Sequence, residues 1–346
     1  MMTRVKGFVQ EVATEQISSG QLYVPSLQNI RQAEVYDGEI SEVHRDALRA
    51  GVPVVALALA ETLNPAHAFE VYPTKTIDSQ RSAHGVSFGR FVARAPHARK
   101  GLRTLVDVAV KPFDDAPTAL NEMHGYHVLD ELGVETFQPV GIFPAQHGDH
   151  FIAMSRTRRD MQSLDRDTWV VGRRVNSAAT AETAERNTQT IIEIAETMAY
   201  IHANGVFHPD GQIKNWSVTA DGTVGVIDTE NLTQVEIGSV DAPELAWYDI
   251  SKLVKSLILE NQDEEDKMFG VGMLAGMAIG QVRENIQELI VAPYVDALVG
   301  MISDDNLQQY QHIENLVESV TNRFHVLEPN WPEHLVSLQQ VAFEYQ

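Results

Sequence analysis

The chain contains no cysteine. That excludes disulfide cross-links, thiolate-held metal and a cysteine nucleophile together. It is also short of positive charge: 26 lysines and arginines face 48 aspartates and glutamates, a formal net charge of −22. Nucleic-acid phosphates and anionic lipid surfaces are bound by basic protein surface, so neither a nucleic acid nor a membrane is expected as the main partner. An acidic surface aids solubility; attraction of a basic partner is the alternative. Long apolar runs are missing too. The most apolar stretch, Met268–Gly280, is glycine-rich and falls short of the roughly 20 residues that span a bilayer. It is expected to form a buried, closely packed helix. The N-terminus has neither the basic start nor the long apolar core of a signal peptide. There is no internal repeat and no low-complexity tract. A soluble, cytoplasmic protein is the expectation.

What is present is enough for two lobes and a sizeable core: 346 residues, 44% of them hydrophobic. Residues 1–66 carry no legible chemistry. They hold loose helical periodicity over Thr3–Ile17 and a helix over Glu42–Ala50, and are expected to brace the next part. Residues 67–157 are strand-rich. Phe69–Tyr72, Val86–Ala95, Leu105–Phe113 and Phe151–Ser155 read as strands between glycine, proline and charged turns, with a helix over Thr118–Leu132. From residue 158 to 346 the pattern turns helical. Ala181–Asn204 carries a broad apolar stripe through Ile191, Ile194, Ala195, Met198 and Ile201, and stops at the helix-ending pair Asn204-Gly205. Pro329, Trp331 and Pro332 mark a late break. The expected fold class is α+β: a small, mainly antiparallel β lobe with one key helix, and a large α-helical lobe.

The chemistry is concentrated between His208 and Asn231. Asp210 stands two residues after His208, and Asn215 five after Asp210. A short strand, Trp216–Val218, runs into the Asp221-Gly222 hairpin signal; the apolar run Val224–Ile227 follows and ends on Asp228. One hairpin can therefore gather two carboxylates and an amide oxygen, a donor set suited to a hard cation such as Mg²⁺. His202 and His208 offer a second metal reading, against which this oxygen-rich set weighs.

This segment resembles the catalytic loop and metal-binding strand of the protein-kinase-like superfamily, which spans protein kinases and aminoglycoside phosphotransferase-type small-molecule kinases. The shared pattern is His-x-Asp-x-x-x-x-Asn, a hairpin, then an Asp. The chain departs from it at Pro209, at Gln212, and at Thr229-Glu230 where Phe-Gly is usual. Upstream, Val108-Ala109-Val110-Lys111 resembles the strand whose lysine contacts nucleotide phosphates. Phe88-Gly89-Arg90-Phe91 resembles the end of the glycine-rich loop, and the stretch between Tyr72 and Gly85 is the other candidate for that loop.

The resemblance implies a two-lobed kinase-like fold with a small lobe over 67–157 and a large lobe over 158–346. It also implies an ATP- and Mg²⁺-dependent phosphotransferase acting on a hydroxyl of a small molecule or a protein. On that footing Asp210 accepts or orients the acceptor's hydroxyl proton, and Asn215 and Asp228 hold Mg²⁺. Lys111 anchors the ATP phosphates, positioned by Glu122 (Glu131 is the alternative), while His208 and Asp249 support the loop. Lys214 is placed to touch the γ-phosphate, though a surface lysine is the plainer reading. Arg156–Asp160 would form the linker on which adenine rests. Ala242-Pro243-Glu244 stands too close to Asp249 for the end of a protein-kinase activation segment, and Asp249 is expected just ahead of a helix. Three alternatives stay open: an atypical, autophosphorylating protein Ser/Thr kinase, an AMP-transferring enzyme, and a nucleotide-binding pseudokinase scaffold.

Overall fold

The computed structural model describes residues 34–35, 45, 48–49, 68–77, 86–94, 103–144, 151–156, 162–163, 178–259, 286–302 and 306–326. They form an α+β fold and divide into two compact units. The described residues up to Arg156, joined by Asp228–Glu230, make the first. Those from Gln162 to Ile227 and from Asn231 onward make the second.

The first unit is built on a six-stranded sheet. Its strands are β1 (Glu34–Val35), β2 (Ala68–Ile77), β3 (Val86–Arg94), β4 (Arg103–Phe113), β5 (Gln138–Pro144) and β6 (Phe151–Arg156), in spatial order β1-β2-β3-β4-β6-β5. β1 runs parallel to β2, and every other neighbour is antiparallel. β4 is interior. Val106, Val108, Ala109, Val110 and Lys111 along it are all buried, so both faces are covered and apolar residues run on without strict alternation.

Helix α1 (Ala116–Glu131) follows β4 directly. Asp115 caps it by accepting from the Thr118 amide at 2.7 Å, and Pro117 sits in the first turn, where its missing N–H costs nothing. Ala119, Glu122, Met123, Tyr126 and Leu129 are buried at helical spacing. Glu122 therefore lies within the buried stripe of the helix.

One expectation is corrected here. Phe88-Gly89 lies inside β3, paired with Ala109 and Val108 of β4. A Cβ on Gly89 would come within 2.8 Å of Leu48 Cδ2, so this glycine makes room for a side chain and is not part of a phosphate loop. The segment Pro139-Val140-Gly141 lies in β5. Its register shifts between Pro139 and Gly141, and a bulge is where a strand tolerates proline. Of the other loop candidate, between Tyr72 and Gly85, Pro73–Ile77 belong to β2, and residues 78–85 lie outside the described residues. So do Thr3–Ile17, most of Glu42–Ala50, residues 157–160, Met268–Gly280 and the break at Pro329–Pro332.

In the second unit the helix Ala178–Ala203 buries Ile191, Ile194, Ala195, Met198, Ala199 and Ile201. It stops where Gly205 takes φ +72 and donates its N–H to His202 O at 2.9 Å. A side chain is excluded there twice over, by the left-handed backbone and by Val235 O, which a Cβ would meet at 2.4 Å. Val206–Phe207 pairs with Thr233–Gln234. Trp216–Val218 and Val224–Val226 form the hairpin, with Gly222 at φ +91 in its turn. Helices Ala242–Leu259, Ala292–Gly300 and Leu307–Val326 complete the unit. Ala242-Pro243-Glu244 is the first turn of the first of these. Asp249 sits in the middle of that helix rather than ahead of it. Among the described residues no helix is long and apolar enough to cross a membrane.

Candidate functional site

The anticipated site residues fall into two groups, one in each unit. In the first, the Lys111 ammonium on β4 is ringed by carboxylates. Asp228 is in direct contact with it, Glu230 Oε2 lies 3.0 Å away and Glu122 Oε2 3.6 Å away. The Phe113 ring centroid is 5.0 Å from Nζ. Glu131, the alternative partner, is exposed and faces His127 instead. Burial alone would lower the lysine's pKa. Glu122, then Asp228 and Glu230, outweigh that and hold the ammonium charged well above the ordinary lysine range. Burial also dominates at Glu122 and pushes its carboxyl up to about 7, against the downward pull of Lys111. Tyr126, one turn along α1, donates to Glu122 Oε1 at 2.5 Å. Glu122 Oε2 is buried without a hydrogen-bond donor, so the lysine's charge is its only compensation.

Three carboxylates around one ammonium leave excess negative charge where little water reaches. Glu122, Asp228 and Glu230 each offer an oxygen, all within 4.8 Å of one another. This hard, anionic donor set fits a divalent cation of the Mg²⁺ kind. Asp228 has φ +62, the only left-handed residue other than glycine among the described residues. Asp tolerates that region better than most residues, and such strain gathers at functional positions. Glu230 was not singled out from the sequence. The available signal was its place two residues after Asp228, a second carboxylate close in sequence to the first.

In the second unit Asp210 is held from both sides. Gln212 Nε2 donates to its Oδ1, and Asn215 Nδ2 donates to its Oδ2 at 2.8 Å and to its carbonyl at 2.7 Å. Asn215 spends its amide hydrogens on Asp210, so Oδ1 is the atom it has left for a cation. The loop is pinned at several further points. His208 N–H donates to Asp249 Oδ2 at 2.6 Å, Ile213 N–H to Ser256 Oγ at 2.9 Å, and Trp216 Nε1 to Gly211 O at 3.1 Å. Asn215 closes a 3₁₀ turn, Ile213–Asn215, and accepts from the Ile227 amide at 2.8 Å. Lys214 is exposed. Both ring nitrogens of His208 are buried without a partner.

Asp249 reaches further than the loop. Its Oδ2 also lies 3.0 Å from His202 Nε2, and His202 Nδ1 lies 2.8 Å from Tyr294 Oη. A carboxylate only accepts, so Nε2 carries the hydrogen; in the neutral imidazole Nδ1 then accepts and the tyrosine donates. His202 stacks on Phe207 with centroids 4.7 Å apart, and its carbonyl receives a hydrogen bond from His312 Nε2 at 2.9 Å. With both ring nitrogens committed, His202 is no metal ligand, which removes the His202–His208 metal reading. Tyr294→Phe leaves His202 Nδ1 buried without a donor. It is expected to lower unfolding stability by about 1–2 kcal/mol in urea titrations; an unchanged midpoint would show that this bond contributes nothing net.

No protein-family model and no curated protein matches the chain. Among solved structures, WaaP in complex with acyl carrier protein is similar at 17% identity and a TM-score of 0.38, over 81% of this chain and 98% of that one. Agreement at that level assigns neither a family nor an activity.

Proposed function

We propose that the chain is an ATP- and Mg²⁺-dependent phosphotransferase with a two-lobed, protein-kinase-like fold, moving the γ-phosphoryl group to a hydroxyl of a small molecule or a protein. The observation that carries this reading is the Lys111 ammonium, buried on a central strand, paired to Glu122 of the following helix and touching Asp228. A strand lysine, a helix glutamate and an aspartate after a hairpin are the parts a kinase uses to anchor phosphates and a metal. Lys111 would bind ATP phosphate oxygens as a point charge, with Glu122 fixing its direction. Asp228 and Asn215 would hold Mg²⁺, with Glu230 as a further carboxylate beside Asp228. The cation, when bound, neutralises phosphate charge. Asp210, oriented by Gln212 and Asn215, would take or direct the acceptor's hydroxyl proton. Asp249, through the His208 amide, would keep that loop in place. The main rival is a pseudokinase scaffold that binds nucleotide without turnover.

The test is a melting experiment on wild type and Asp228→Asn with ATP and Mg²⁺, separately and together. Asparagine keeps the size and the tolerance for a left-handed backbone but loses the charge. A ligand at a hundredfold excess over its Kd stabilises the native state by about 2.7 kcal/mol, roughly 4 °C for a chain of this size. The wild type is expected to show that shift only with both ligands present. Asp228→Asn is expected to lose it while melting no lower than wild type without ligand, since one of three crowded carboxylates is neutralised. No shift in the wild type at millimolar ATP would sink the reading.

A further inference from the structure

We infer that Thr229 is a positioning residue, whose hydroxyl ties Asp228 and Glu230 to the backbone of helix α1 and so holds both carboxylates on Lys111. Thr229 is fully buried. Its Oγ1 donates to the carbonyl of Glu122 at 2.7 Å, across 107 residues of sequence. That carbonyl belongs to a mid-helix residue, and its second lone pair can take a bond in addition to the helical one. A second, independent feature brings the two segments together. A Cβ on Gly125 would lie 2.6 Å from Thr229 Cβ and 2.7 Å from Thr229 O. Only a residue without a side chain lets the chain lie this close to the helix.

The consequence is mechanical. Thr229 is flanked by Asp228 and Glu230, both of which reach Lys111, and it grips the residue whose own side chain also faces Lys111. Glu122 contributes through its main chain and its carboxylate at once. The helix and the Asp228–Glu230 segment therefore behave as one clamp around the ammonium. Displacing the segment from the helix withdraws two carboxylates from the lysine together. Fixing where a ligating side chain points is how an outer partner tunes a site it does not touch.

The test uses the full chain with Thr229→Val, nearly isosteric but without the hydroxyl, and Thr229→Ser, which keeps it. Thr229→Ala carries the same expectation as valine should the valine variant not fold. The first readout is access of an amine-acylating reagent to each lysine, followed by mass spectrometry. It needs neither nucleotide nor metal. Loss of one hydrogen bond shifts a local equilibrium by about fivefold, so acylation of Lys111 is expected to rise by about that factor in Thr229→Val. The other lysines stay at wild-type rates, and Thr229→Ser stays at wild type throughout. No rise at Lys111, or an equal rise at every lysine, overturns the assignment.

The second readout, Mn²⁺ binding followed by electron paramagnetic resonance with a non-hydrolysable ATP analogue, rests on the phosphotransferase reading. Thr229→Val is expected to bind Mn²⁺ about tenfold more weakly. Absence of Mn²⁺ binding by the wild type would count against that reading alone, because the acylation pattern decides the role of Thr229 by itself.

Discussion

Exchanging Lys111 for methionine lowers unfolding stability at pH 8 by about 3–5 kcal/mol, the cost of removing one partner from a buried ion pair. The ammonium is shared by three carboxylates, and Glu122 has no other compensation for its buried Oε2. The loss depends on pH, and its sign follows from Glu122. Burial raises that carboxyl from 4.5 to about 7 in the wild type, while Lys111 pulls it down. A carboxyl raised on folding contributes its full stability below its unfolded pKa and loses it as pH climbs through the folded value. Without Lys111 the folded value moves higher still, so the variant loses stability across a wider window. The lysine itself stays charged throughout that window and its own contribution disappears only in strong alkali. The pairing with Asp228 and Glu230 is lost at both pH values, and the Glu122 contribution makes the gap between wild type and Lys111→Met larger at pH 8 than at pH 5. Urea titrations at the two pH values measure it; a gap of equal size at both would refute the account of Glu122.

On the proposed phosphotransferase reading, Asp210→Asn is expected to cut turnover sharply while leaving nucleotide binding intact. Asparagine keeps the size of the side chain and one of the two acceptor oxygens that Gln212 and Asn215 reach but cannot accept the acceptor's proton, and a positioned proton acceptor contributes about 10²–10⁴-fold to a rate. ADP formation from ATP and Mg²⁺, with a pool of cellular small molecules as acceptors, is expected to fall by that factor. The melting shift with ATP and Mg²⁺ is expected to persist, because Lys111 and Asp228 are intact. The product identifies the chemistry. ADP marks phosphoryl transfer, and pyrophosphate marks AMP transfer. Binding without turnover in the wild type marks a scaffold. ADP formation in Asp210→Asn at the wild-type rate would remove Asp210 from the mechanism.

Much of the local structure is written in short stretches of residues. The β-branched residues over Leu105–Lys111 give a strand because such side chains suit a pleated, covered surface. Asn204-Gly205 ends a helix because glycine accepts the left-handed backbone required there. Asp221-Gly222 turns a hairpin for the same reason. The spacing of Asp210, Asn215 and Asp228 is legible because loop and hairpin are contiguous in sequence. These features need only a residue's own conformational preferences and those of its neighbours.

The choice between Glu122 and Glu131 is of another kind. Both lie on one helix, and the face that helix buries decided between them: Glu122 falls among Ala119, Met123 and Tyr126 and faces Lys111, whereas Glu131 faces His127 and solvent. Glu230 at Lys111, Thr229 on the Glu122 carbonyl, and His202 joined to Asp249 and Tyr294 link positions many tens of residues apart. Periodicity cannot encode such pairs, because it says which side of an element is apolar but not what that side meets. The sequence by itself determined strands such as Leu105–Phe113, the helix stop at Asn204-Gly205 and the hairpin that orders the acidic residues. Only the tertiary structure decided which carboxylates share the lysine, since that depends on which buried surfaces come together and leave a charged group no partner but the one opposite.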